Sequence, residues 1–344
     1  MTSFLTEVHD QPAALRRIAE ALPAELKVVA PFGEKLRRGE FTNVVFTGMG
    51  SSLSACVAAT IILAEHGIAA LALEASELLS AYHSLLSTKT LVIAVSQSGQ
   101  SVEIARLVNE FGDRIPIIGV TNTPGSPLAE RSSVTLQMHA GAEETVSTKT
   151  YTCTLAALHL LALALLDLPV QAACDDLRNI ADNLQQRLPV YDALIPTIAQ
   201  QIAPVSFIEY LGRGASRGSA ITAALITKET AKMPTEGMAG GQFRHGPWEV
   251  LGPTVTVCLF CGSRATRHLD LALAADIVAR DAKVIMIGPK AVPGTLHIAI
   301  ADVDPLLIPI LEIVPVQLLA AELAKAKGLQ PGEFRFSGKV TTIE

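Results

Sequence analysis

Residues 91–101 read Leu-Val-Ile-Ala-Val-Ser-Gln-Ser-Gly-Gln-Ser. The first five are an unbroken apolar run of strand-favouring residues, the pattern of a strand covered on both faces in a parallel sheet. The second half is its chemical opposite. Ser96, Gln97, Ser98, Gly99 and Ser101 place hydroxyls, an amide and a glycine where the strand ends, and Val102–Phe111 then reads as a helix. A strand, a hydroxyl-rich turn and a helix N-terminus aim backbone N–H groups and side-chain donors at one point, which suits a phosphate. The same stretch also fits a serine-rich turn that only caps its helix.

Outward from this turn the texture repeats. Residues 44–47 are a strand, Gly48-Met49-Gly50-Ser51-Ser52 a glycine turn, and a small-residue helix runs on through Ala64; residues 69–74 and 115–121 are further strands. Strands alternating in this way with helices predict a doubly wound parallel sheet. A polar loop after Glu143 leads into a long apolar helix, and residues 175–203 form an amphipathic connecting helix. The pattern then restarts, with a strand at 205–210, the turn Gly212-Arg213-Gly214, a helix over 219–232 and strands at 254–260 and 283–287. The fold class is therefore α/β, as two tandem doubly wound, flavodoxin-like parallel sheets. The expected division is a helical arm over 1–42 with Pro12 and Pro23 as breakers, a first subdomain over 43–174, the connector at 175–203, a second subdomain over 204–330 and a tail over 331–344. After Phe260 the second half reads Cys261-Gly262-Ser263-Arg264, so one phosphate cradle is expected, not two.

Composition narrows the function classes. With 49% hydrophobic and 17% charged residues the chain has ample means to bury a core. A net charge of −6 and the lack of basic, aromatic-laced runs argue against nucleic acid and against a membrane surface as partners. Residues 1–10 carry no secretory pattern, and the apolar stretch 155–168 contains His159 and is too short to span a bilayer, so a cytoplasmic protein is expected. The five cysteines are scattered and odd in number, and Cys258 and Cys261 lie in a strand-like run that favours burial over metal or redox work. No metal-ligand spacing is found and no cofactor is expected.

Six motifs in order carry a resemblance over residues 44–344: Gly48–Ser52, Ser96–Gly99, Ser147-Thr148-Lys149, Gly212-Arg213-Gly214, the run Gly240-Gly241-Gln242-Phe243-Arg244-His245-Gly246-Pro247, and Val314-Pro315-Val316-Gln317 with the closing Gly338-Lys339-Val340-Thr341. Together they resemble the double sugar isomerase (SIS) domain family, as in the isomerase part of glucosamine-6-phosphate synthase. A dinucleotide fold also opens with a glycine turn and an acid about twenty residues on, here Glu74, but Gly48–Leu53 has no third glycine in register and that reading leaves Ser96 and Ser98 unexplained.

The resemblance implies that Ser52, Ser96, Gln97, Ser98 and Ser101 surround a substrate phosphate, with Gly50, Ser51, Val146 and Ser147 near the sugar. It implies that Glu229 carries a proton between C1 and C2, that His245 opens the ring from a neighbouring subunit, hence a homodimer, and that Lys339 contacts the open-chain sugar. From the residues alone, Glu229 shares a helix face with Thr222, Leu225 and Ile226, a face expected to be covered, where desolvation would raise a carboxyl pKa. A solvated Lys228–Glu229 pair, a backbone-bonded loop histidine and a solubility lysine are the plain alternatives. His245 falls in a glycine-rich stretch expected to be a loop. Two departures bear on the reaction: residue 2 is Thr2, not a nucleophilic cysteine, so synthesis from glutamine is not expected of this chain alone, and Ile226 stands where the synthase has a second lysine. The expected activity is isomerising deamination of a hexosamine phosphate. Deglycation of a fructosamine 6-phosphate uses the same chemistry, and a sugar-phosphate sensor without turnover is the alternative of another class.

Overall fold

The computed structural model describes residues 2–336, 338–341 and 343. Among these residues ten strands fall into two sheets: β1 (Asn43–Gly48), β2 (Ala70–Glu74), β3 (Thr90–Val95), β4 (Ile117–Thr121) and β5 (Val134–Gln137) in the first, and β6 (Phe207–Gly212), β7 (Thr235–Ala239), β8 (Val255–Phe260), β9 (Lys283–Gly288) and β10 (Leu296–Ala299) in the second. The first has the order β2-β1-β3-β4-β5 and the second β10-β9-β8-β6-β7, which is the same order counted from each sheet's own first strand. All pairings are parallel. In both sheets the chain order reverses beside the first strand, at β1/β3 and at β6/β8, which is where open α/β sheets receive ligands.

The central strands are the ones the sequence announces. Every residue of β3 and β4 is buried, as a strand covered on both faces requires. Under the Val102–Phe111 helix, Ala94, Ile104, Leu107 and Ile117 form one apolar cluster, and Leu211, Phe243, Leu259, Leu273 and Ile277 form its counterpart in the second sheet. The strands absent from the sequence reading, β5, β7 and β10, are all sheet edges, where short, partly exposed segments carry a weaker apolar signal.

The chain divides into two compact units. The first, the serine unit, comprises Gln11–Glu143, Lys149–Ala181 and Arg335–Glu344; the second comprises Met1–Asp10, Glu144–Thr148 and Asp182–Phe334. These segments cut across the expected boundaries. The arm is not one piece, because its first ten residues go with the second unit. The connecting helix runs over Val170–Ile202 and contributes to both. Of the tail, 331–334 belongs to the second unit and the rest to the serine unit, with Ser337, Thr342 and Glu344 outside the described residues, as is Met1 of the arm. Of the two expected breakers, Pro12 follows the break at Asp10 that separates the Ser3–His9 helix from the next, and Pro23 does not break its helix. Pro12 stands in the first turn of the Gln11–Glu25 helix, where no N–H is needed, and Pro23 sits inside it; the Ala19 carbonyl that Pro23 leaves unbonded accepts from the Arg178 guanidinium at 3.5 Å.

Candidate active site

In the serine unit the ends of β1 and β3 approach so closely that a Cβ on Gly48 would lie 2.7 Å from the Val95 carbonyl. Gly50, at φ +53°, then starts the helix Gly50–Glu65, which presents half-buried Ser51 and Ser52 in its first turn. Neither hydroxyl is used by a hydrogen bond among the described residues. Across the order reversal, the turn after β3 is locked from behind. The Gln97 carbonyl accepts from Asn122 N (3.0 Å), Thr121 Oγ1 (3.2 Å) and Thr123 Oγ1 (3.2 Å). Because a trans peptide sets C=O and the next N–H in opposite directions, the Ser98 N–H is turned away from β4. Ser96 Oγ accepts from Gly99 N at 3.1 Å and Ser98 Oγ from Gln100 N at 3.2 Å. Gly99 is required twice over: its φ is +63°, and a Cβ there would fall 2.1 Å from Ser126 Oγ.

Ser101 is the N-cap of the Val102–Phe111 helix, yet its side chain makes no capping bond. The bare capping role is thus not the one its hydroxyl plays, and the oxygen is left for another partner. The tail returns to this point, with the Thr341 carbonyl accepting from Val102 N at 3.2 Å. Lys339 donates to Glu143 Oε2 at 2.6 Å; the same carboxylate accepts from Thr150 Oγ1 (2.6 Å) and Thr150 N (2.9 Å), and its side chain is 0% exposed. Glu143 was not singled out in the sequence, where it and exposed Glu144 are adjacent and indistinguishable.

The second unit holds the other predicted residues. Val146 is buried and Ser147 half-buried, in a segment tied down by Glu7, which accepts from Glu144 N at 2.6 Å and from Thr145 Oγ1. Glu229 lies near the end of the Ser216–Ala231 helix and is half-buried, not covered, although Thr222 and Ile226 on its face are buried. That helix ends on Lys232 in the left-handed conformation (φ +49°), whose ammonium donates to the carbonyls of Glu229 and, at 2.6 Å, Glu333; Lys327 reaches the Ala231 carbonyl at 3.2 Å. The cations at this end satisfy its last carbonyls and favour its dipole. His245 is exposed. The stretch before it is not a loop throughout, since Gly240–Phe243 makes one helical turn before Gly246 (φ +122°).

Three further acids in this unit are held above the usual carboxylate range. Burial, with Glu236 beside it, pushes Glu209 up to about 8. Burial pushes Asp270 to about 6 against the opposing pull of Arg213, and Glu312 to about 7 against hydrogen bonds from Ser219 and Ser216. Among the described residues no group of three or more His, Cys, Asp or Glu side chains is placed to hold a metal ion, and no helix is long and apolar enough to cross a membrane.

Residues 40–164 match the SIS domain model. The glutamine–fructose-6-phosphate aminotransferase (isomerizing) of Thermococcus kodakarensis is 28% identical over 99% of this chain, and the chain spans about 58% of the length of that relative. The solved C-terminal domain of glucosamine-fructose-6-phosphate aminotransferase from Francisella tularensis superposes with a TM-score of 0.88 at 20% identity, covering 97% of this chain and 98% of that one. A glucosamine-6-phosphate deaminase from Thermotoga maritima superposes with a TM-score of 0.76 at 20% identity, covering 99% and 100%.

Proposed function

We propose, for a chain whose residues 40–164 match the SIS domain model, isomerising deamination of a hexosamine phosphate: glucosamine 6-phosphate and water give fructose 6-phosphate and ammonia. The observation that carries the reading is the serine turn at the β1/β3 reversal, where the hydroxyls of Ser52 and Ser101 make no hydrogen bond among the described residues and the Ser98 N–H is turned away from β4. Neutral donors gathered at a helix N-terminus are enough to hold a phosphate. Ser52, Ser96, Gln97, Ser98 and Ser101 grip it, with Gly50, Ser51, Val146 and Ser147 along the sugar. His245, exposed on its turn, hands a proton to the ring oxygen of a substrate held by a second copy of the chain, in a homodimer. Glu229 removes the proton from C2 and returns it to C1, so that the amine-bearing carbon becomes an imine that water hydrolyses. Lys339, held by Glu143, contacts the open-chain sugar. The matching deaminase shows that this fold, at this length, exists in a protein of that name.

The test is release of ammonia and fructose 6-phosphate from glucosamine 6-phosphate by the full chain. Turnover is expected for the wild type, with Glu229→Gln slower by about a thousandfold while its affinity for the substrate is unchanged. Release of an amino acid from a fructosamine 6-phosphate, with glucosamine 6-phosphate left intact, would replace deamination by deglycation. Binding of every sugar phosphate with turnover of none would make the chain a sensor.

A further inference from the structure

The second sheet reverses its order at β6/β8 as the first does at β1/β3, and the turns beside that reversal also carry anion-binding groups. The turn after β6 feeds the Ser216–Ala231 helix, whose first turn offers Ser216 and Ser219; the turn after β8 offers the backbone N–H of Gly262. All three donate to one carboxylate. Glu312, on the helix Ile308–Ala326, accepts from Ser216 Oγ at 2.8 Å through Oε1, from Ser219 Oγ at 2.7 Å through Oε2, and from the Gly262 backbone, with 0% of its surface exposed. A Cβ on Gly262 would lie 2.7 Å from Glu312 Oε1, so the glycine is what admits the carboxylate. Beside it, Arg213 of the β6 turn donates through Nε to Asp270 at 2.9 Å, and Asp270 is 1% exposed. The groups of an anion site are all present, and each is satisfied from within the chain.

We infer that the crevice of the second unit is an anion site built on the plan of the serine cradle, with the Glu312 carboxylate as its resident occupant, so that each chain takes one phosphate and not two. Vacating the residue leaves a pocket for a small oxyanion of the carboxylate class. The groups that face Glu312 fit this assignment. Among the described residues, Asp270, Cys258 and Cys261 interact with it electrostatically and none is cationic; hydrogen bonds from the two hydroxyls and the backbone N–H oppose the cost of burying its charge. Glu209 shows the contrast: equally hidden, it has an oxygen with no hydrogen-bond partner among the described residues and is pushed higher.

The experiment uses the full chain, its Glu312→Ala variant, and thermal midpoints in formate, acetate or chloride at matched ionic strength, with inorganic phosphate stoichiometry by calorimetry. The wild type should bind one phosphate and show no preference among the salts. Glu312→Ala should melt lower and regain about 3–6 °C in formate or acetate, saturably, and the gain should vanish when Ser216 and Ser219 are also alanine. A folded Glu312→Ala variant indifferent to formate, or two phosphates on the wild type, would overturn the inference. Absence of any bound phosphate would count against the serine cradle and leave the formate response to decide. Should Glu312→Ala not fold in any salt, the Ser216→Ala/Ser219→Ala double variant decides. With Glu312 as an anion, losing its donors raises its folded pKa further, and the fall in thermal midpoint between pH 6 and 9 must steepen; an unchanged slope would overturn the assignment.

Discussion

The two reversal points of the molecule have the same strand order and the same kind of donors, yet they end in opposite states. At β1/β3 the hydroxyls of Ser52 and Ser101 make no hydrogen bond among the described residues; at β6/β8 those of Ser216 and Ser219 are both committed to Glu312. A ligand site is thus marked by what the fold leaves unspent, since a donor already bonded to a buried carboxylate gains little by exchanging it for a phosphate.

Paired substitutions separate the two states. The largest effects come from filling a glycine on each side. Gly99→Ala puts a methyl 2.1 Å from Ser126 Oγ on a φ of +63°, so the turn must rearrange; phosphate affinity measured by calorimetry should fall about 100-fold with the far-ultraviolet spectrum intact. Gly262→Ala meets Ile308 Cδ1 at 2.5 Å and Glu312 Oε1 at 2.7 Å, and should cost about 1–3 kcal/mol in denaturant unfolding with phosphate affinity unchanged. If both variants lost phosphate equally, the comparison would break.

The next effect is a dependence on pH. Glu209, pushed up to about 8, binds a proton in the folded chain that it loses when unfolded at neutral pH, so its contribution is complete below about 4.5 and disappears as pH rises through 8. Glu209→Gln keeps the neutral form at every pH. It should raise the thermal midpoint at pH 8.5 by about 2–5 °C and leave it unmoved at pH 5.

The smallest effects come from two serines. Ser101→Ala, which caps nothing, should weaken phosphate about tenfold and leave the melting midpoint within a degree. Ser126 caps its helix by accepting from Ala129 N at 3.3 Å, so Ser126→Ala should lose about 1 kcal/mol of stability and keep its phosphate affinity.

Much of this is legible in the residues. The central strands betray themselves as apolar runs because both faces are buried, and the serine turn because hydroxyls and a glycine interrupt such a run. The edge strand β7 does not, being Thr-Glu-Gly-Met-Ala; its glycine is explained only by the helix against it, where a Cβ on Gly237 would come within 2.3 Å of the Ala220 carbonyl. Glu143 and Glu7 are illegible for a similar reason, since Lys339 and Glu144, which donate to them, come from segments remote in sequence from each acid. Glu312 is different. One acid inside the apolar run 308–316 is itself a signal of a buried charge that must find donors, and it could have been read.

The interlacing of the units has a consequence for how the chain is made. Each is assembled from three separated segments, and the serine unit includes Arg335–Glu344. During vectorial synthesis the first sheet emerges complete, but the tail carrying Lys339 arrives only after the whole second sheet has left the ribosome. No single cut in the gene separates the halves, and a nascent chain must hold an unfinished cradle throughout elongation, a period when help from chaperones is worth most.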